Sequence, residues 1–117
     1  MNRRQFEEVV DETLASLPEW VTERIDNLQV IVLERPTRDQ DPHGEGLLGL
    51  YEGVSLLDRG NDYFAVLPDI IYVFRQPHLE LGLRRAEVRE EIRRTVLHEI
   101  AHHLGIDDAR LHELGWD

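Results

Sequence analysis

His98-Glu99-Ile100-Ala101-His102, followed by Gly105 and Asp108, is the stretch that organises this chain. It reads H-E-x-x-H-x-x-G-x-x-D. On an α-helix turning about 100° per residue, His98, His102 and Glu99 project at roughly 0°, 40° and 100°. Two imidazoles one turn apart can share a single divalent cation. The Glu99 carboxylate then lies beside that ion, placed to take a proton from water rather than to ligate. Gly105 can adopt the left-handed conformation that ends a helix and turns the chain back. That turn lets Asp108 swing round as a third ligand. Three protein ligands leave the fourth position to water, which is the pattern of a catalytic rather than a structural zinc site. Val96, Leu97, Ile100, Ala101 and Leu104 fall roughly opposite the polar residues, so the helix is expected to pack on a core.

Several neighbours have competing readings. Asp108 is also a preferred N-cap type for a helix beginning near Ala109, and a carboxylate with two oxygens can do both jobs. His112, four residues further on, faces the same way on a short helix. It is an alternative third ligand, a partner to a ligand, or a solvent-facing residue; Glu113 is a lesser alternative. His103 lies about 40° beyond Glu99 and is expected to flank the site or the surface without ligating. His43 and His78 stand in loop-like stretches with nothing to tie them to a metal. Tyr51 is a candidate donor to a developing oxyanion, set against an ordinary place as an amphipathic sheet residue. Tyr63 and Tyr72 read as packing residues.

Length and composition bound the rest. A chain of 117 residues is expected to form one domain over 1–117, with a core that needs no disulfide or structural metal. There is no Cys, which excludes disulfides, thiolate zinc sites and thiol nucleophiles. Any metal must therefore be held by His, Asp and Glu. The apolar runs are far too short to span a membrane, and the N-terminus carries no apolar core of a secretory signal. A cytoplasmic location is the expectation. The formal net charge of −11, from 13 basic and 24 acidic residues, argues against nucleic-acid binding. All the basic residues are Arg.

Along the chain, Phe6, Val9, Val10, Thr13, Leu14 and Leu17 keep helical spacing. Pro18 suits the first turn of a short second helix running to about Ile25. Leu28–Leu33 is β-branched-rich and reads as a buried strand. Residues 35–46, with two Pro and two Gly, form an irregular loop. Leu47–Ser55 reads as a strand in which Gly49 and Gly53 mark a bulge or a close backbone approach. Asp58–Asp62 is a turn, and Ile70–Phe74 is a further strand, ended before Pro77. A long helix from about Arg84 to Leu104 and a short one from Asp108 to Leu114 follow. The Arg84–Arg94 segment, with Glu90 and Arg94 at i, i+4, reads as a solvated face. The expected fold is α+β: a short mixed sheet covered by an N-terminal helix and the long motif helix.

With these elements in this order, the chain resembles the zincin metallopeptidases, and most of all the small zincin-like proteins that carry the motif on little more than a core. The resemblance is strongest over Thr95–Gly115 and extends to Gly49-Leu50-Tyr51-Glu52-Gly53. It implies that His98, His102 and Asp108 hold Zn2+ and that Glu99 is the general base. It also implies that the Leu47–Ser55 strand is the sheet edge along which a peptide or protein substrate aligns. Two features depart from the family pattern. The only Met is Met1, so there is no methionine turn, and nine residues follow Asp108 where a lower subdomain usually completes the cleft. The activity implied is that of a zinc-dependent metallopeptidase. The alternative is a metal-binding protein of the same fold, without peptidase activity, that acts by binding a partner. A zinc amidohydrolase on non-peptide substrates is a third possibility.

Overall fold

The computed structural model describes residues 1–60 and 67–116. Five α-helices lie among the described residues: α1 (Arg3–Ala15), α2 (Glu19–Arg24), α3 (Arg75–Leu79), α4 (Arg85–Leu104) and α5 (Asp108–Leu114). Three strands lie among the same residues, β1 (Leu28–Leu33), β2 (Gly49–Glu52) and β3 (Asp69–Phe74). The sheet order is β1-β3-β2, with β1 parallel and β2 antiparallel to β3. This is the mixed α+β layer anticipated from the sequence. Tyr63 and residues 61–62 of the anticipated turn lie outside the described residues, and a 3-10 turn at Leu56–Asp58 takes up its start.

Strand periodicity decides which face is covered. Gly49 pairs with Val73 and Tyr51 with Ile71, while Val30 and Val32 pair with the same two β3 residues from the other side. Paired residues share a face, so these side chains form one layer. Ile71 and Val73 are fully buried there, against Val96, Ile100 and Ile92 of α4. Helix α1 adds Phe6, Val9 and Val10 to the same core. It starts with a reciprocal cap, in which Asn2 accepts from the Gln5 N–H and Gln5 accepts from the Asn2 N–H.

The differences from the sequence reading are local. β1 is only partly buried, with Val32 its one buried residue, because it is an outer strand rather than a central one. Pro18 occupies the N-cap of α2 rather than its first turn. β2 is shorter than anticipated, since only Gly49–Glu52 pair with β3. β3 ends at Phe74, before Pro77 as expected, but Pro77 itself sits inside α3, where a missing N–H costs little in the first turn. His78 is consequently a buried helical residue, edge-on to Phe6 at 5.3 Å, and not a loop residue.

Gly105 ends α4 in the left-handed region at φ 79°, and the Ile106 N–H closes back onto the Ala101 carbonyl. A Cβ at this position would come 2.5 Å from Cβ of Leu57. The glycine therefore meets both a conformational and a steric need.

Candidate metal centre

Helix α4 carries its polar stripe where the helical wheel puts it. One ligand atom each from His98, Glu99 and His102 lies within 4.8 Å of the others, the one such group among the described residues. The two imidazoles stand edge to face, with centroids 4.5 Å apart. Glu99 is nearly buried, whereas both histidines are partly exposed. His102 Nδ1 lies 3.0 Å from Glu99 Oε1. Hydrogen bonding to that carboxylate raises the His102 pKa, more than partial burial lowers it, and the charges of Glu99 and Asp108 add to the rise. A proton on Nδ1 leaves Nε2 as the basic nitrogen. Two imidazoles and carboxylate oxygens are donor types that suit zinc and several other divalent ions, so the residues present fit such a metal.

Asp108 and His112 stand outside this cluster, both exposed on α5. The capping role considered for Asp108 belongs to its neighbour. Asp107 is the N-cap, accepting from the Arg110 N–H at 2.8 Å, and Asp108 is the first residue of the helix proper. Glu113 pairs with Arg110 at 2.8 Å. His43 lies in the exposed loop.

A buried network behind the site corrects the surface placement expected of His103 and engages Tyr51 as a sheet residue. His103 is fully buried, not at the surface. Its Nε2 accepts from the Asp26 N–H at 3.2 Å, so the proton sits on Nδ1 and is given to Asp69 Oδ2 at 3.0 Å. Burial pushes its pKa down, against the pull of Asp69. Tyr51 also donates to Asp69 Oδ2 and packs edge-on to His103 at 5.9 Å, so its hydroxyl proton is engaged away from the cleft. Arg59 reaches the same oxygen at 2.9 Å. Burial raises the Asp69 carboxyl, but hydrogen bonds from Tyr51, His103 and Arg59 outweigh it and hold the group below the usual range. Sequence reasoning missed Asp69 and Arg59, whose partners are remote in the chain. His103 did carry a signal. On the wheel it falls about midway between Ile92 and Val96, inside the apolar arc.

His98 and Glu99 line a cleft of about 420 Å³. Its walls include Leu47, Leu48 and Gly49 at the start of β2, Glu91, Arg94 and Thr95 one and two turns before His98, and Trp116. Gly49 makes this junction possible, because a Cβ there would lie 2.5 Å from Thr95 Cγ2 and 3.3 Å from Glu99 Cγ. Thr95 is itself fixed from behind by His78, whose Nε2 is 2.9 Å from the threonine hydroxyl and whose Nδ1 is held by the Phe74 carbonyl.

The sequence profile of the zincin-like metallopeptidases matches residues 25–116, a span that includes all three strands, α4 and α5. The chain belongs to the zincin-like metallopeptidase family. No curated protein matches this zincin-like chain. Among solved structures it is similar to a conserved hypothetical protein from Thermo thermophilus, at 24% identity and a TM-score of 0.61. The match covers 99% of this chain and 100% of that one. A likeness at this identity speaks to the fold, and the zincin-like fold is what both share. A divalent metal is what the family implies at His98, Glu99 and His102, and the donors there fit it. No helix among the described residues is long and apolar enough to cross a membrane.

Proposed function

We propose that this zincin-like protein is a zinc-dependent peptidase for extended peptides, in which His98, His102 and Asp108 hold the cation and Glu99 is the general base. The observation that carries this reading is the position of the His98–Glu99–His102 cluster, of which His98 and Glu99 line a cleft whose facing wall is the start of an outer strand. The bound ion would supply Lewis acidity, polarising a carbonyl and easing loss of a proton from water.

The remaining work falls to side chains and backbone. Glu99 has one oxygen engaged by His102 Nδ1. Its other oxygen takes the proton from water and returns it to the leaving amine. The hydrogen bond also holds the His102 ring in the tautomer that keeps Nε2 basic. With its cap supplied by Asp107, Asp108 has its carboxylate available for ligation. Among the described residues β2 pairs with β3 alone, and a peptide laid against its other side would meet backbone N–H and C=O groups.

A metal-binding protein that acts through a partner is the second reading. It is favoured by the engagement of Tyr51 with Asp69, which removes the one oxyanion donor the sequence suggested. Metal analysis of the purified protein, paired with digestion of a peptide library with and without chelator, separates the two. Zinc with chelator-sensitive cleavage supports the peptidase. Zinc with no cleavage of any library member supports the partner-binding reading.

A further inference from the structure

We propose that the Asp41 carboxylate plugs the peptide groove at the Leu47 end of β2, so that the site takes peptides with no more than about two residues between the scissile bond and one terminus. This inference rests on the peptidase reading and names the class of peptide for it: chains cut near an end rather than in the middle.

The pairing of β2 fixes which backbone groups face outwards. The Phe74 N–H donates to the Leu48 carbonyl at 2.9 Å, so Leu48 turns its backbone groups to β3. Successive residues of a strand turn theirs to opposite sides. Leu47 and Gly49 therefore point away from the sheet, along the edge where a guest strand would pair. At Leu47 that edge is already occupied, because its N–H donates to Asp41 Oδ2 at 3.2 Å. An added strand would run roughly 4.8 Å away and present a carbonyl to the same N–H. The carboxylate stands in the place of that carbonyl, with its own main chain behind it.

The plug is built in. The same Oδ2 accepts from the Gly46 N–H at 3.1 Å, and Oδ1 accepts from the Glu45 N–H at 3.0 Å. The Glu45 and Leu47 amides hold the Asp41 carboxyl below its ordinary value, which keeps it ionised at neutral pH. Its own N–H donates to the Thr37 carbonyl at 3.0 Å, and its carbonyl accepts from the Gly44 N–H at 3.2 Å. Arg35 ties the start of this loop to Glu80 through two bonds of 2.9 and 3.0 Å.

The plug lies a short, fixed distance from the base. A Cβ on Gly49 would stand 3.3 Å from Glu99 Cγ, so the scissile bond passes beside Gly49. Leu47 is two residues back, or about 7 Å along the strand, which is the span of about two guest residues. For a peptide antiparallel to β2 the short flank is the C-terminal one; for a parallel peptide it is the N-terminal one.

Phosphinic peptides, in which a zinc-binding phosphinate replaces the scissile bond, fix the register and are not cleaved. Two series, one lengthened stepwise on the N-terminal flank and one on the C-terminal flank, are titrated calorimetrically into the zinc-loaded protein. In one series the third and fourth residues are expected to lower affinity at least about tenfold relative to the two-residue flank. Asp41→Ala, checked for folding by circular dichroism, is expected to recover about threefold or more of that loss and to leave the other series unchanged. Tolerance of four residues on both flanks by the wild type overturns this inference alone, whether or not the variant folds. So does a one-sided limit that persists in folded Asp41→Ala. If no phosphinic peptide binds at any length, the peptidase reading falls with it.

Discussion

Gly49 of β2 and Thr95 of α4 meet so closely that a Cβ on the glycine would stand 2.5 Å from the threonine Cγ2. The same Cβ would approach the Tyr72 carbonyl at 3.2 Å, so the strand has backbone behind it and a helix in front. Thr95 cannot retreat, because His78 holds its hydroxyl. This contact fixes the separation between the outer strand and the metal cluster. Gly49→Ala is expected to cost about 1–3 kcal/mol by overpacking, measured by urea unfolding, and to weaken peptide binding by shifting β2. An alanine variant with wild-type stability and affinity would show that the spacing is not set here.

Glu99 shares one oxygen with His102, and glutamine can offer an amide oxygen to the same Nδ1–H. Glu99→Gln should therefore keep the ring orientation and the metal content while losing the base. Hydrolysis is expected to fall by at least about 10²-fold with metal stoichiometry unchanged by elemental analysis. Activity that survives in this variant would assign the base elsewhere.

The sequence leaves capping and ligation open on Asp108; capping falls to its neighbour Asp107, and ligation by Asp108 is the proposal. Asp107 caps α5, and Asp108 does not. Asp107→Ala is expected to cost about 1 kcal/mol of stability with little change in zinc affinity. Asp108→Ala should do the reverse, lowering zinc affinity at least about tenfold with the apo stability retained. Calorimetric zinc titration and urea unfolding of the pair check this double dissociation, and equal zinc affinity in Asp108→Ala and wild type would remove it from the ligand set.

The metal-free protein should be acid-labile. His78 and His103 are both held neutral, chiefly by burial, with folded pKa values below the ordinary value of 6.5. Below about pH 6.5 the unfolded chain binds protons that these folded imidazoles refuse. Their contribution is thus complete above that pH and is lost as pH falls through the folded values. His102 has the opposite sign: its folded pKa is raised by Glu99, so its contribution is present at acid pH and lost as pH rises. His78 and His103 are fully buried whereas the His102 side chain is 40% exposed and more screened, so the buried pair is expected to set the sign, with stability falling from pH 7.5 to 5.5, read as a fall in the urea midpoint. A flat or rising midpoint would contradict the neutral, buried state of His78 and His103.

Much of this molecule is legible in the residues. The long helix, its glycine stop and the stripe of His98, Glu99 and His102 follow from a 3.6-residue period that nothing interrupts between Arg85 and Leu104. β3 follows from an unbroken β-branched and aromatic run, and the close approach at Gly49 from a glycine inside a strand. What was missed depends on partners distant in sequence. Asp69 becomes a buried acceptor only when Tyr51, Arg59 and His103 converge on it. α3 was hidden by Pro77, which reads locally as a stop although a first-turn proline is compatible with a helix. The cleft had a partial signal, since Glu91, Arg94 and Thr95 lie on the same stripe as the metal-site residues, but Trp116 reaches it through tertiary packing alone.

The proposed chemistry requires His98 and His102 to hold one divalent ion together. Zinc titration of the wild-type protein, His98→Ala and His102→Ala, each checked for folding by circular dichroism, addresses it directly. About one equivalent bound tightly by the wild type, and a loss of tight binding in each folded variant, is the expected result. Undiminished stoichiometry and affinity in either folded histidine variant would contradict it.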